Sequence, residues 1–305
     1  MAEYRAETLQ LFETKRLENV MSLYQFLLFR YMAGQGFGDT SDMMPRGVLT
    51  YWKPGSGKTI GFIAAGLYVM AHKHREYAHG TIVVVTAKSL QQKTLDEASE
   101  YLRKLNAASL GINLEPVSKP VDVQKTLKSI HFVTYNDTRN LEKNLVQQFN
   151  ALSGFENRFV VVDEAHNLFR AKGNDDPKSR GNVLFNLLMS YESLQLVLAT
   201  GTPVVSDPAD LVYCFQMLTR NPAILDQNYF QEIFVSPQNN HINREILVRR
   251  VYGLVHLVES DEQGDKPVLE PVILHQLPMS DAIRSQYNSQ RHREGIKDSF
   301  MQGSR

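Results

Sequence analysis

Three short runs of consecutive apolar residues constrain the fold of this chain more than any other feature. They lie within the segments TIVVVTA at 81–87, RFVVVDEA at 158–165 and LQLVLATGTP at 194–203. Apolar and polar residues do not alternate within these runs, which is typical of strands that are buried on both faces of a sheet. Segments with helical spacing separate the runs, and strands that alternate with helices pair in parallel. The sequence therefore predicts an α/β fold with a mostly parallel sheet and helices on both faces.

The same patterns assign much of the remaining chain to helices and strands. Further strands are predicted at 47–52, 130–135 and 253–258. Helices are predicted near Asn19–Ala33 and 137–149, over 57–74, 89–105 and 181–193, over most of 209–250, and from 281 onward. The chain beyond the sheet is thus expected to form a mainly helical C-terminal extension.

Composition excludes several classes of protein. With 43% apolar and 22% charged residues over 305 positions, the chain is long and apolar enough for a buried core. The 33 basic and 33 acidic residues cancel, which argues against a uniformly basic surface but permits a local basic groove. The single cysteine, Cys214, excludes an internal disulfide and a cysteine zinc cluster.

The chain carries no pattern that is typical of export or of membrane insertion. Its N-terminus has no apolar segment behind basic residues, and no apolar run approaches the ~20 residues of a membrane span. We therefore expect a soluble, intracellular protein without a membrane partner.

A glycine-rich segment after the strand at 47–52 predicts phosphate binding. It ends in Gly55, Ser56, Gly57, Lys58 and Thr59. These residues match the end of the phosphate-loop pattern G-x-x-x-x-G-K followed by Ser or Thr, although Trp52 stands where the first glycine is expected. Backbone N–H groups and the helix N-terminus hold phosphate oxygens in such a loop, and Pro54 removes one of those N–H groups. We expect Lys58 to reach the β- and γ-phosphates of ATP and Thr59 to bind Mg²⁺.

Two adjacent carboxylates follow the apolar run at 159–162. An NTPase places its metal-holding acid at the carboxyl end of such a strand. Asp163 would bind Mg²⁺ through its water shell, and Glu164 would orient and activate the attacking water. Two acids at a strand end are by themselves an ordinary solvated turn, and it is the phosphate loop upstream that favours the catalytic interpretation.

A third segment of interest follows the last of the three apolar runs. Thr200, Gly201 and Thr202 are small residues, two of them with hydroxyl groups, at the end of a predicted strand. They are candidates for coupling the nucleotide site to movement elsewhere, and an ordinary strand-to-loop turn is the alternative.

Five segments in order resemble the motifs of the first RecA-like domain of a superfamily 2 helicase or translocase. They are GSGKT at 55–59, TAKSL at 86–90, FVTY at 132–135, DEAH at 163–166 and TGTP at 200–203. They correspond to motifs I, Ia, Ib, II and III, and the resemblance extends over about 20–290. TGTP in place of SAT, with TAKSLQQKTLDE at 86–97, resembles the Snf2-like branch.

Two further segments narrow the resemblance. VRRVYGLVHLVES at 248–260 and PVILHQLPMSDAIRSQY at 271–287 are similar to segments of the helicase-like transcription proteins of large cytoplasmic DNA viruses. That family includes the small subunit of the poxvirus early transcription factor and the nucleoside triphosphate phosphohydrolase that acts with viral RNA polymerase. Its members often have a bulky residue where Trp52 stands, so the resemblance implies a working RecA-like P-loop NTPase with ATP and Mg²⁺ as cofactors.

The resemblance also implies roles for residues outside the phosphate loop and the carboxylates. Tyr24 and Gln25 would lie beside the adenine, the alternative being a core tyrosine next to a surface glutamine. His166 would link the carboxylates to motif III. Residues of motifs Ia and Ib would contact one nucleic-acid strand, mainly at phosphates: Thr86, Lys88, Ser89, Thr134 and Tyr135.

The resemblance implies three parts of the chain. They are a helical lead-in with the adenine-side element at 1–45, a RecA-like ATP-binding domain at 46–258, and a linker toward a second RecA-like domain at 259–305. The arginine motif of such a second domain, Q-x-x-G-R-x-x-R, does not occur after Pro203. A fragment of a longer protein, a second polypeptide that supplies the other half, and a single-domain descendant all remain open.

The implied function is that of the ATP-hydrolysing domain of a DNA-dependent helicase or translocase in viral transcription or genome processing. Its partners would be DNA, as a single strand or one strand of a duplex, with RNA as the alternative, a second RecA-like domain in cis or trans, and viral RNA polymerase. A viral protein of this kind would act in the host cytoplasm and the virion. The alternative function is a nucleotide-binding scaffold or regulatory module that docks to polymerase or virion proteins without motor activity.

Overall fold

A computed structural model describes residues 2–34, 46–72, 81–109, 121–134, 158–172, 179–204, 209–221, 230 and 244–258. The chain divides into two compact units, Met1–Ser260 and Asp261–Arg305, and every described residue lies in the first. The helices predicted near 137–149 and from 281, the linker at 259–305 and most of the C-terminal extension lie outside the described residues.

The described residues form one parallel sheet. Its strands are β1 Gly47–Trp52, β2 Ile82–Thr86, β3 Ile130–Thr134, β4 Phe159–Asp163, β5 Gln195–Thr200 and β6 Val255–Val258. Their order across the sheet is β3-β2-β4-β5-β1-β6, and every pairing is parallel. The unbroken apolar runs therefore predicted the strands and their direction correctly.

Helices connect and cover these strands. They are α1 Ala2–Thr14, α2 Leu23–Met32, α3 Lys58–His72, α4 Gln91–Ala107, α5 Val123–Leu127, α6 His166–Lys172, α7 Arg180–Ser190, α8 Asp210–Thr219 and α9 Arg244–Val251, with short 3-10 turns at Leu17–Asn19 and Lys88–Leu90. Among the described residues, no helix has both the length and the apolar character that crossing a membrane requires.

The helix predicted near Asn19–Ala33 begins later than its apolar spacing suggests. Ser22 caps it, since the Ser22 hydroxyl accepts a hydrogen bond from the Gln25 backbone N–H and the Gln25 side chain accepts one from the Ser22 N–H. This reciprocal capping box satisfies two N–H groups at the helix start and fixes Leu23 as its first residue.

Alternate residues of each strand enter two separate apolar cores. On β4, Phe159 and Val161 pack in the core that α2, α3 and α4 cover, whereas Val160 and Val162 pack in the core under α6, α7 and α8. Side chains of a strand alternate between faces, so a strand with a core on each face needs apolar residues throughout. The predicted helices on both faces are thereby confirmed.

Candidate active site

The carboxyl ends of four neighbouring strands bring the sequence motifs together at one edge of the sheet. β1 ends at the phosphate loop, β2 at Thr86, β4 at Asp163 and β5 at Thr200, and β5 lies between β1 and β4. Because all strands run in parallel, these ends share one edge, where open α/β sheets bind their ligands.

The phosphate loop has the backbone that its glycines predict. Gly55 and Gly57 have φ angles of +78° and +75°, which side-chain-bearing residues rarely adopt. Lys58 begins α3, and its Nζ donates hydrogen bonds to the backbone oxygens of Trp52 (3.0 Å) and Lys53 (3.3 Å). The lysine ammonium therefore lies against the loop itself, beside the N-terminus of α3.

Trp52 is a packing residue beneath the loop. Its side chain has no exposed surface and lies in the core that α2 and α3 cover. It contacts the rings of Tyr24 and His256 edge to face, with centroid distances of 4.9 Å and 5.3 Å. A Cβ on Gly61 would lie only 2.8 Å from two atoms of the indole ring. The indole thus points into the core and packs against the first turns of α3.

Tyr24 and Gln25 both hold the loop by its backbone. The Tyr24 hydroxyl donates to the Ser56 oxygen at 2.6 Å, and Gln25 Nε2 donates to the Gly57 oxygen at 2.9 Å. Gln25 is 5% exposed, so it is a buried residue and not the surface glutamine of the alternative interpretation. Sequence reasoning placed both residues near the nucleotide but missed these loop contacts, and their position beside adenine stays a prediction.

The Asp163 carboxylate is half-buried and accepts a hydrogen bond on each oxygen. Its Oδ2 accepts a hydrogen bond from the Thr86 hydroxyl and its Oδ1 one from the Glu164 N–H, each at 3.1 Å. Burial and then the neighbouring Glu164 charge raise the pKa of Asp163, while its two hydrogen bonds and the Lys58 charge lower it. A nearby cation would stabilise the ionised form of a carboxyl group whose pKa is raised in this way.

Glu164 stands in a strained conformation beside a histidine. Its φ of +50° is in the left-handed region, which is uncommon outside glycine and is found preferentially at functional sites. His166 Nδ1 lies 3.3 Å from Glu164 Oε2. This hydrogen bond is the main cause that lowers the pKa of Glu164, and the charges of His166 and Lys58 act in the same direction. Glu164 is therefore held in its ionised form, as a base requires.

His166 joins the DEAH segment to the TGTP segment. Its Nδ1 lies 2.9 Å from the Thr200 hydroxyl and 3.4 Å from the Thr202 hydroxyl, and the Thr200 hydroxyl accepts the Thr202 N–H at 3.0 Å. A Cβ on Gly201 would lie 3.0 Å from the Pro54 ring, so the segment after β5 also packs against the phosphate loop. The role of these contacts in coupling stays a prediction.

The residues expected to contact nucleic acid do not share one environment. Lys88 and Ser89 are exposed in the 3-10 turn after β2, and Thr134 is half-buried at the end of β3. Thr86, by contrast, is 1% exposed and faces Asp163. Tyr135 lies outside the described residues.

The oxygen donors at the sheet edge fit a magnesium ion that is shared with a nucleotide. Asp163 offers a carboxylate and Thr59 a hydroxyl on the first turn of α3, and Mg²⁺ is usually bound by one or two carboxylates together with substrate phosphates. Within the described ranges, no group of three or more His, Cys, Asp or Glu residues is placed to hold a metal by itself. The set therefore fits an ion that arrives with phosphates better than an all-protein metal cage.

Comparison with known proteins agrees with this geometry. The family model of DEAD/DEAH box helicases matches residues 40–211. The chain is 26% identical over 279 residues to the termination factor NPH-I homolog of African swine fever virus (isolate Tick/Malawi/Lil 20-1/1983), a match that covers 90% of this chain and 37% of that protein. It is 27% identical over 164 residues to the early transcription factor 70 kDa subunit of Fowlpox virus (strain NVSL), covering 54% of this chain and 21% of that protein.

One similar solved structure is the SWI2/SNF2 ATPase core of Sulfolobus solfataricus in complex with dsDNA. The sequence identity is 18% and the TM-score is 0.49, and the match covers 79% of this chain and 45% of that one. The chain spans about 37% of the length of the African swine fever virus relatives. The family match and the viral relatives confirm the resemblance that the five motifs indicated.

Proposed function

This chain belongs to the DEAD/DEAH box helicase family, and on that premise we propose that it binds and hydrolyses ATP as the first half of a DNA-dependent helicase or translocase. We further propose a role in viral transcription or genome processing, which the names of its viral relatives support. DNA, a second RecA-like domain and viral RNA polymerase are the proposed partners.

The observation that carries this proposal is the placement of the phosphate loop and two adjacent carboxylates at one edge of the parallel sheet. The Lys58 charge acts on both Asp163 and Glu164, although the chain separates the lysine from them by about a hundred residues. One carboxylate has a raised pKa, and the other has a lowered pKa and borders a histidine. Carboxylates whose environments push their pKa values apart are suited to different tasks in one reaction.

The residues divide the work as follows. Loop N–H groups and Lys58 bind the phosphates, and the Lys58 ammonium exchanges its contacts with the Trp52 and Lys53 oxygens for phosphate oxygens. Asp163 and Thr59 would hold Mg²⁺, which when bound neutralises charge on the β- and γ-phosphates. Glu164 orients the attacking water and accepts its proton.

The remaining contacts would link turnover to nucleic acid and to the second domain. His166 connects Glu164 to Thr200 and Thr202, so a change at the γ-phosphate reaches the segment after β5. An arginine from a second domain is worth ~10³–10⁵ in turnover in related phosphoryl-transfer enzymes. We therefore expect the isolated chain to hydrolyse ATP slowly.

The test is ATP hydrolysis by the chain with and without single-stranded DNA, duplex DNA and RNA. We expect slow turnover that DNA stimulates and that Lys58→Ala and Glu164→Gln abolish. Lys93→Ala and Glu100→Gln, which change exposed residues of α4, serve as controls matched in charge. Turnover that survives Glu164→Gln would refute the assigned base. If the chain binds ATP but does not hydrolyse it under any condition, even when a second RecA-like domain is added, the nucleotide-binding scaffold would instead be favoured.

A further inference from the structure

Thr86 occupies the position on β2 that adjoins the metal-site carboxylate. β2 pairs in parallel with β4, and Val85 lies opposite Val162, so the next residue of each strand brings Thr86 beside Asp163. The threonine side chain is almost fully buried, and its hydroxyl donates to Asp163 Oδ2 at 3.1 Å. A residue that the motif pattern assigns to nucleic-acid contact therefore faces the interior of the active site.

The Thr86 hydroxyl provides one of two hydrogen bonds that hold the Asp163 carboxylate. Glu164 N–H binds one oxygen and the Thr86 hydroxyl the other, each at 3.1 Å. A carboxylate has about four acceptor sites, so these two bonds fix the rotation of the group and leave other sites for a metal ion or its water shell. Outer partners of this kind orient metal ligands, and their loss typically weakens metal binding by about 10–100-fold.

Thr86 is also joined directly to an exposed segment. Ala87 follows it and precedes the 3-10 turn Lys88–Leu90, which the hydrogen bond from Leu90 N–H to the Ala87 oxygen closes at 2.9 Å. Lys88 and Ser89 point outward from this turn. Ala87 is thus the one residue between Thr86, with its buried hydroxyl, and an exposed turn that a phosphate backbone can reach.

We propose that Thr86 is a positioning residue of the metal site, which orients Asp163 through its hydroxyl and links that carboxylate to nucleic acid bound at Lys88 and Ser89. The inference rests on the proposed function, because it takes Asp163 as the residue that holds Mg²⁺. It also gives Thr86 a role different from the direct nucleic-acid contact that the motif pattern implies.

The test compares Thr86→Val, which keeps the shape of the side chain without the hydroxyl, with Thr86→Ser, which keeps the hydroxyl. ATP affinity is measured by calorimetry with Mg²⁺ and with a chelator. We expect Thr86→Val to weaken binding about tenfold with Mg²⁺ and to leave metal-free binding unchanged, while Thr86→Ser behaves like the wild type. Thr219→Val, which removes a threonine hydroxyl at the end of α8, should change neither affinity.

Different results separate the possible failures. If Thr86 has a purely structural role, Thr86→Val should weaken ATP binding equally with Mg²⁺ and with the chelator. Two results would overturn this inference and leave the proposed function intact. They are unchanged Mg²⁺-dependent binding in Thr86→Val, and a Thr86→Ser variant that binds as weakly as Thr86→Val. A wild-type chain that binds no ATP would overturn the proposed function and this inference with it. Melting temperatures of the variants show whether each one is folded.

The link to nucleic acid has a separate readout. If Thr86 links nucleic acid bound at Lys88 and Ser89 to Asp163, single-stranded DNA should tighten Mg²⁺-ATP binding in the wild type and in Thr86→Ser. It should not do so in Thr86→Val. Binding couplings are reciprocal, so ATP should tighten DNA binding by the same factor. An equal effect of DNA on the wild type and on Thr86→Val would overturn the link while leaving the orientation of Asp163 intact.

Discussion

Trp52 stands at the position of a glycine in the usual phosphate loop, and its surroundings explain why the loop tolerates it. The indole lies in the core against Tyr24, and Gly61 on α3 offers a surface without a Cβ where the ring passes. The large Trp52 side chain therefore fits because Gly61 has no side chain. The part of the loop that is proposed to bind phosphate, from Gly55 onward, keeps the positive φ angles of Gly55 and Gly57.

Gly61→Ala tests this pairing of residues. In an exposed helix position the change would favour folding by about 1 kcal/mol, but here the new methyl would lie 2.8 Å from the indole. We expect a net loss of about 1–3 kcal/mol in unfolding free energy, measured by urea denaturation. Trp52→Phe removes the ring atoms concerned, so Gly61→Ala should cost less in that background. An alanine variant as stable as the wild type would contradict the packing described.

His256 gives stability an identifiable pH dependence. It packs on Trp52, its Nδ1 has no hydrogen-bond partner among the described residues, and burial lowers its pKa from 6.5 to about 4. Between those values the unfolded chain binds a proton that the folded chain does not, so stability is lost as the pH falls from 6.5 toward 4.

His256→Phe keeps an aromatic ring on Trp52 but removes this titration. Between about pH 7.5 and about pH 5, we expect the wild type to lose roughly 2 kcal/mol more unfolding free energy than the variant. Denaturant titration at the two pH values measures this difference, in which the other titrating groups cancel. Equal losses in both proteins would show that His256 is protonated as easily in the folded state as in the unfolded one.

Among the elements, α2 connects the phosphate loop to the strand at the edge of the described sheet. Tyr24 and Gln25 bind the loop backbone, and near its other end the Tyr31 hydroxyl donates to the Gly253 oxygen in the turn before β6. One helix thus braces β1 and β6, which are neighbours in the sheet. The loop can shift only if this helix or its hydrogen bonds also change.

The elements also show what the sequence could reveal. Unbroken apolar runs predicted the strands correctly because a strand with a core on each face needs mostly apolar residues on both sides. The start of α2 was predicted too early because apolar spacing continues through Leu17 and Val20, while the capping box at Ser22 sets the boundary. Contacts between distant segments, such as Tyr24 with Ser56, leave no periodic signal in a single sequence.

Arg46 shows how such long-range contacts stabilise the elements. Its guanidinium donates to the backbone oxygens of Leu188, Tyr191 and Glu192 near the end of α7 and of Met217 near the end of α8, at 2.8–3.1 Å. The last carbonyls of a helix have no partner within it, and a cation there also interacts favourably with the helix dipole.

Arg46→Met should therefore destabilise the protein well beyond an ordinary surface change. Removal of the guanidinium leaves four carbonyl groups to water or to no partner, and we expect a loss of about 2 kcal/mol in unfolding free energy. Lys104→Met, which breaks an exposed ion pair with Glu100 on α4, should cost less than about 0.5 kcal/mol. Urea denaturation of both variants checks the comparison, and equal effects would argue against the capping role.

At the scale of the whole molecule, one edge of a parallel sheet collects groups that lie far apart in sequence. The phosphate loop, Asp163 with Glu164, and Thr200 reach this edge because strand direction places every strand end there. The chain spans about 37% of the length of its African swine fever virus relatives. The proposed complete enzyme takes an arginine from a second RecA-like domain. The proposed nucleotide binding, in contrast to rapid turnover, would depend on residues that this chain itself contains.

Equilibrium binding of ATP with Mg²⁺, measured by calorimetry on the wild type and on Lys58→Ala, is therefore the most direct test of the account. Loss of charge-assisted bonds to phosphate should weaken binding at least about tenfold in Lys58→Ala, while Lys93→Ala, at an exposed position of α4, should bind like the wild type. That result would establish the phosphate loop as the nucleotide site despite Trp52. Equal binding by the wild type and Lys58→Ala, or no binding by the wild type, would contradict it.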